Sequence, residues 1–236
     1  MNNIRILYED NHLLGVEKPP NMPVQGDISG DDDLLTILKQ YIRQKYNKKG
    51  EVFLGLVHRL DRPAGGAMIF ARTSKAASRL SEQIRTRQVK KIYVAVVEGI
   101  LQNSAGMLHH YLVKNSENNT VHVANAGTAG SQEAILRYQA LGTADNKSLV
   151  QIELETGRPH QIRVQFSYSG NPLVGEEKYG RTDSKKPTKH LALWSCEVTF
   201  KHPVRDEIIR VESRPPKCYP WDLFPEHIYH LAGGDI

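Results

Sequence analysis

The sequence predicts an α+β protein built on a mainly antiparallel sheet with flanking helices. Two observations predict it. Short apolar runs bounded by turn residues recur along most of the chain, whereas only three stretches carry apolar residues at helical spacing. There is also no internal repeat and no Pro/Gly/Ser-rich linker, so a single domain spanning residues 1–236 is expected, with room for two lobes.

The elements follow in order. Ile4 to Glu17 reads as a hairpin, because apolar runs flank Glu9-Asp10-Asn11. Lys18-Pro19-Pro20 ends it, since proline cannot donate to a strand ladder. Asp31-Asp32-Asp33 offers caps and acidic charge for a helix start, and Leu34, Leu35, Leu38, Tyr41 and Ile42 follow at helical spacing, with Gly50 beyond the helix end. Ala67 to Ala71 is a short strand. Ser74 to Thr86 is a helix with Ala77, Leu80 and Ile84 inward and Lys75, Arg79 and Glu82 on the other face. Ile92 to Val97 is an apolar strand stopped by Gly99. Met107–Val113, Glu133–Leu141 and Leu149–Glu155 are further strands, the last alternating Val150, Ile152 and Leu154 with polar neighbours. Pro159 to Ser169 reads as a helix with proline in its first turn and Gly170 past its end. Leu191–Phe200 and Ile208–Glu212 are strands around His202-Pro203-Val204.

Composition narrows the classes. Of 236 residues, 39% are hydrophobic and 24% charged, enough apolar material for a core. No run approaches the roughly 18 apolar residues of a membrane span, and the N-terminus carries no apolar signal segment, so a cytoplasmic protein is expected. Asn118-Asn119-Thr120 is then a chance match to a glycosylation site. Cys196 and Cys218 are expected to be reduced, and without close pair spacing they offer no zinc site. The net charge of +5 suits a polyanionic partner. Basic residues concentrate from Arg72 to Lys91 and again at Lys178, Arg181, Lys185, Lys186 and Lys189. Such runs are equally common as solvated faces, so charge alone does not decide.

Three segments carry chemistry. Gly55 to Gly66 holds His58-Arg59-Leu60-Asp61-Arg62, an acid between two arginines in a loop before an apolar strand. Flanking cations favour an ionised acid, and Pro63, Gly65 and Gly66 allow a tight backbone path. A salt-bridged surface loop would look the same. Thr156 to Arg163 places hydrogen-bonding and basic groups at a helix start, a setting that suits anions, or simply caps a helix. Lys90 to Gly99 sets Tyr93 in a strand directly after the basic helix, where a tyrosine is more often core than platform.

Together these residues resemble the motifs of the RluA-type pseudouridine synthases. His58-Arg59-Leu60-Asp61-Arg62 with Gly65-Gly66 is similar to the catalytic motif, and Lys91-Ile92-Tyr93-Val94-Ala95 with Gly99 to the tyrosine motif. Thr156 to Arg163 resembles the arginine motif, continued by Gly170-Asn171-Pro172-Leu173-Val174-Gly175 and Tyr179-Gly180. Glu17-Lys18-Pro19-Pro20 is similar to the opening motif and Leu191 to Pro203 to the closing hairpin, so the likeness is collinear from about Tyr8 to about Val211. Three positions depart from the pattern: Ala64-Gly65-Gly66 where Thr-Ser-Gly is usual, Gln165 for histidine, and Glu176 for aspartate.

The resemblance implies a pseudouridine synthase fold with a central catalytic cleft, and an isomerase that turns uridine into pseudouridine in ribosomal or transfer RNA. It implies Asp61 as the catalytic carboxylate, acting at C1′ or C6 of a flipped-out uridine. Tyr93 packs against the base, Arg163 pairs with Asp61, and Arg59 fills the gap left in the stack. His58, Arg62, His160, Gln161 and Lys18 are expected at the substrate, with Lys75, Arg79, Lys185 and Lys186 on phosphates. Isomerisation is redox-neutral, so no cofactor or metal is expected, and the partner is RNA, bound by a monomer. The chain starts directly with the catalytic region and is expected to lack the small N-terminal RNA-binding module of some relatives. A catalytically silent RNA-binding protein on the same scaffold would share the basic patches. A glycosidase would need two carboxylates, where this segment offers one. A serine hydrolase lacks its Gly-x-Ser-x-Gly.

Overall fold

The computed structural model describes residues 4–180, 188 and 190–233. The chain divides into two compact units, Met1–Lys90 with Ser195–Ser213, and Lys91–Trp194 with Arg214–Ile236. No helix among the described residues is long and apolar enough to cross a membrane.

The first unit contains β1 (Arg5–Glu9), β2 (Leu13–Lys18), α1 (Leu34–Lys45), β3 (Gly55–Leu56), β4 (Gly65–Ala71) and α2 (Ser74–Arg85). Late in the chain it takes back most of β10 (Leu193–Lys201) and all of β11 (Ile208–Glu212). The strands run in the order β1-β2-β4-β10, with β3 on β4 and β11 on β10. The predicted hairpin forms because Asp10 caps its own turn: its carboxylate accepts from the His12 and Leu13 N–H groups, both at 2.7 Å. β4 is buried along its whole length, and its Ala67, Ile69 and Ala71 join Leu13, Leu80, Phe200 and Val211 in one core. Asp33 caps α1 and Thr73 caps α2, each accepting from the N–H three residues on. α1 stops earlier than Gly50 suggested: Asn47 takes the left-handed conformation (φ 48°), and Lys48 N–H closes on Arg43 C=O at 3.0 Å.

The second unit contains most of β5 (Lys90–Glu98), then β6 (Ala105–Asn115), β7 (Thr120–Ala124), β8 (Gln132–Ala144), β9 (Lys147–Leu154) and α3 (Gln161–Tyr168). Its strands run β5-β9-β8-β6-β7, each neighbouring pair antiparallel. β7 lies where the sequence suggested only a loop; Val121 is its one fully buried residue, so the apolar signal is weak. α3 lays Val164 against Leu112, Val121 and Ala134. It begins at Gln161, two residues later than Pro159 suggested, because His160 sits in the left-handed region (φ 52°). Neither Cys196 nor Cys218 is in a disulfide.

Candidate active-site residues

In the first unit Asp61 lies in the loop between β3 and β4, at the head of a turn closed by Ala64 N–H on Asp61 C=O at 3.0 Å. Several neighbours hold that turn in place. His58 Nε2 accepts the Ile69 N–H at 2.9 Å, tying the start of the loop to β4. Leu60 is buried. Gly66 has φ +115°, and a Cβ there would lie 2.3 Å from Ser195 O, so β4 approaches β10 too closely for any side chain. The Ser195 hydroxyl then donates to Ala67 C=O at 3.0 Å.

Lys18 lies beneath the same turn. Its side chain is fully buried, and Nζ donates to Pro19 C=O at 2.8 Å and Arg62 C=O at 3.0 Å. Burial pushes its pKa down to about 7; the Asp61 carboxylate pulls against that shift and the Arg62 guanidinium adds to it. Lys18 is therefore an internal brace of the Asp61 loop, a placement the sequence could not give to a lysine expected at the substrate.

Arg62 turns away to grip residues 21–31. Its guanidinium donates to Asn21 C=O, to Asp27 Oδ2 at 3.3 Å, to Ser29 Oγ at 3.0 Å and to Asp31. Hydrogen bonds from Ser29 hold Asp27 below the usual carboxylate range, and Arg62 does the same for Asp31. The acidic run therefore clamps an arginine as well as capping α1. Arg59 is exposed and makes no hydrogen bond or ion pair among the described residues. On α2, Lys75 is exposed, whereas Arg79 donates to Pro203 C=O and so also holds the turn before β11. Lys185 and Lys186 lie outside the described residues.

In the second unit Tyr93 is a buried residue of β5, opposite Ile152. Arg163, one turn inside α3, is also buried. Glu176 receives its Nε at 2.7 Å and Nη2 at 2.6 Å, and also accepts the N–H groups of Lys178 and Tyr179 at 2.9 and 3.3 Å. The guanidinium lies 5.3 Å from the Tyr179 ring centroid. Tyr179 hydrogen-bonds His160 through its hydroxyl, which also accepts the Val121 N–H at 3.0 Å. His160 thus anchors residues 176–180. Gln161 is a clip: its Oε1 accepts from Thr156 Oγ1 at 2.8 Å and Arg158 N–H at 3.0 Å, and its Nε2 donates to Ile135 C=O. Glu176 and Tyr179 are the partners that sequence reasoning passed over; Glu176 was visible only as a departure from the pattern. Gln165, where the pattern has histidine, lies in the buried seam between α3 and the sheet, its Nε2 3.1 Å from Leu108 O, Ala134 O and His110 Nδ1. Among the described residues no cluster of three or more His, Cys, Asp or Glu could hold a metal ion.

Comparison with known proteins identifies the family and the fold. The RNA pseudouridylate synthase family matches residues 12–168. The chain is 33% identical over 214 residues to the uncharacterized RNA pseudouridine synthase YhcT of Bacillus subtilis, covering 89% of this chain and 68% of that protein. It is 32% identical over 216 residues to ribosomal large subunit pseudouridine synthase C of Vibrio parahaemolyticus, covering 88% of this chain and 64% of the relative. The chain thus spans about two thirds of the length of these relatives. Among solved structures, human RNA pseudouridylate synthase domain containing 4 superposes with a TM-score of 0.75 at 25% identity, over 90% of this chain and 89% of that one. Human RNA pseudouridylate synthase domain containing 1 shares the fold, with a TM-score of 0.73 at 23% identity over 92% and 85% of the two chains.

Proposed function

The chain belongs to the RNA pseudouridylate synthase family, isomerases that convert uridine to pseudouridine in RNA, and we propose that it modifies a specific uridine of large-subunit ribosomal RNA with Asp61 as its catalytic carboxylate. The observation that carries this reading is the family match over residues 12–168, a span that includes Asp61, Tyr93 and Arg163. The name of the Vibrio relative supports ribosomal RNA over transfer RNA.

The reaction breaks the C1′–N1 bond, turns the uracil, and joins C1′ to C5; the C5 proton leaves to water and N1 takes up a proton in exchange. Atoms and electrons balance within the nucleotide, so no redox partner or group donor is required. The target base leaves the stack to be reached. Asp61, as a carboxylate, attacks C1′ or C6 or stabilises charge on the sugar. The brace at Lys18, the His58 tether and the close strand approach at Gly66 support a preorganised loop. Tyr93 packs against the uracil, and Arg59, exposed beside the loop, enters the vacated stack. Lys75, Lys185 and Lys186 bear on phosphates. The protein works in the cytoplasm as a monomer.

RNA carrying tritium at uridine C5 tests the whole reading. Wild-type protein is expected to release label from ribosomal RNA, and Asp61→Asn to release none while binding with unchanged affinity. Release from transfer RNA alone would overturn the substrate, and tight binding without release from ribosomal particles, ribosomal RNA or transfer RNA would make the protein a silent RNA binder.

A further inference from the structure

The tyrosine motif opens with a cation that none of the roles above uses. Lys91 stands at the start of the second unit, half-buried on β5. Burial pushes its amine pKa down, and no neighbouring charge acts against that shift. Its ammonium makes no hydrogen bond or ion pair among the described residues. Other polar groups at this end of the unit are engaged: Arg158 Nε donates to Glu133 C=O at 2.8 Å, and Thr156 Oγ1 to Gln161 Oε1 at 2.8 Å. A part-buried ammonium without an anion costs stability, and such groups persist where a ligand supplies the missing charge.

Two further observations say where the ligand sits. Lys91 Nζ lies 3.2 Å from the position a Cβ on Gly157 would take and, the chain neighbours of Gly157 aside, no other atom among the described residues lies within 4 Å of that position. Gly157 itself is exposed. The amine is thus parked over a residue that offers no side chain, open to solvent on that side. Alternation along a strand also puts Lys91 and Tyr93 on the same face of β5, separated by about 7 Å. That separation is comparable with the span from a nucleobase to the phosphate of its own nucleotide.

We propose that Lys91 is a phosphate-binding residue, whose ammonium takes the backbone phosphate of the nucleotide whose base lies on Tyr93. The proposal rests on the role given to Tyr93 above. It adds an anchor for the flipped nucleotide itself, distinct from the sequence-independent contacts of the surface lysines. Gly157 belongs to the same site, because its missing side chain leaves the ammonium room to meet the phosphate.

The test compares wild type, Lys91→Met, Lys91→Arg and Gly157→Ala. Turnover is read by tritium release from C5-labelled large-subunit ribosomal RNA, and binding by equilibrium titration of the same RNA across a salt series. Lys91→Met is expected to raise KM about tenfold, leave kcat within about twofold, and reduce the slope of log affinity against log salt by ~0.7, the share of one single-strand phosphate. Its Tm is expected to equal or exceed that of wild type, because an unpaired cation has been replaced by an apolar chain of similar length. Lys91→Arg retains most of the affinity, and Gly157→Ala raises KM by a smaller factor, since its methyl group displaces the amine. Unchanged KM and salt slope in Lys91→Met would overturn the proposal, as would a KM rise that comes with a lowered Tm and an unaltered slope. If wild type releases no tritium from any RNA, the catalytic reading fails; the salt slope of binding still judges Lys91.

Discussion

Arg163 and Glu176 form a buried, two-pronged ion pair: guanidinium Nε and Nη2 lie 2.7 and 2.6 Å from the two carboxylate oxygens. Glutamate is one methylene longer than the aspartate usual at this position, and here it bridges α3 and the backbone of Lys178 and Tyr179. Glu176→Gln removes the charge but keeps the shape, weakening the charge-assisted pair that holds the buried guanidinium. A loss of about 3 kcal/mol in urea unfolding is expected, together with reduced turnover. A loss under about 1 kcal/mol would mean that Arg163 is held by other contacts.

Lys18 makes the stability of the first unit depend on pH, and the sign follows from its depressed pKa. Its amine titrates near 10.4 in an unfolded chain but at about 7 when folded. Between those values the unfolded state binds more protons, so this group raises stability as pH climbs from about 7 towards 10 and contributes no slope below 7. Urea unfolding of wild type and Lys18→Met at pH 6, 7.5 and 9 checks this. The wild-type advantage over the variant should be smallest at pH 6 and grow with pH; a constant difference would contradict it.

The two left-handed glycines Gly66 and Gly30 make a controlled pair. Gly30 has φ +72° with nothing within 4 Å of a built Cβ, whereas at Gly66 the backbone of Ser195 stands in the way. Gly30→Ala is expected to cost about 1 kcal/mol, the strain of the conformation alone. Gly66→Ala carries the strain and the clash together, and should lose at least about 3 kcal/mol or fail to accumulate as folded protein. Thermal melts of both variants give the comparison.

Arg62 is held by Asp27, Ser29 and Asp31 at the surface. If it serves RNA, these acids compete with phosphate for it. The double variant Asp27→Asn, Asp31→Asn should bind ribosomal RNA about threefold more tightly at low salt, with the gain vanishing near 1 M as exposed charges are screened. Filter binding across that range reads it. Equal affinity at low salt would assign Arg62 to holding its loop and nothing more.

The sequence by itself determined the strand-rich α+β class, the hairpin read at Ile4–Glu17, the two long helices and the family to which the chain belongs. Each of these is written in neighbouring residues: alternation, capping groups and short ordered motifs are local properties of the chain. Tertiary structure alone decided what the motif side chains hold. His58, Lys18, Gln161 and Arg62, all expected at the substrate, bond to protein groups between 1 and 44 residues away. Glu176 was legible as a variant position, but its partner, thirteen residues earlier on α3, was not. β7 escaped notice because a short edge strand buries too little to show a pattern. A sequence reports which groups can ionise, donate or stack; whether they meet solvent, substrate or another backbone depends on packing distances that arise only when distant segments close on each other.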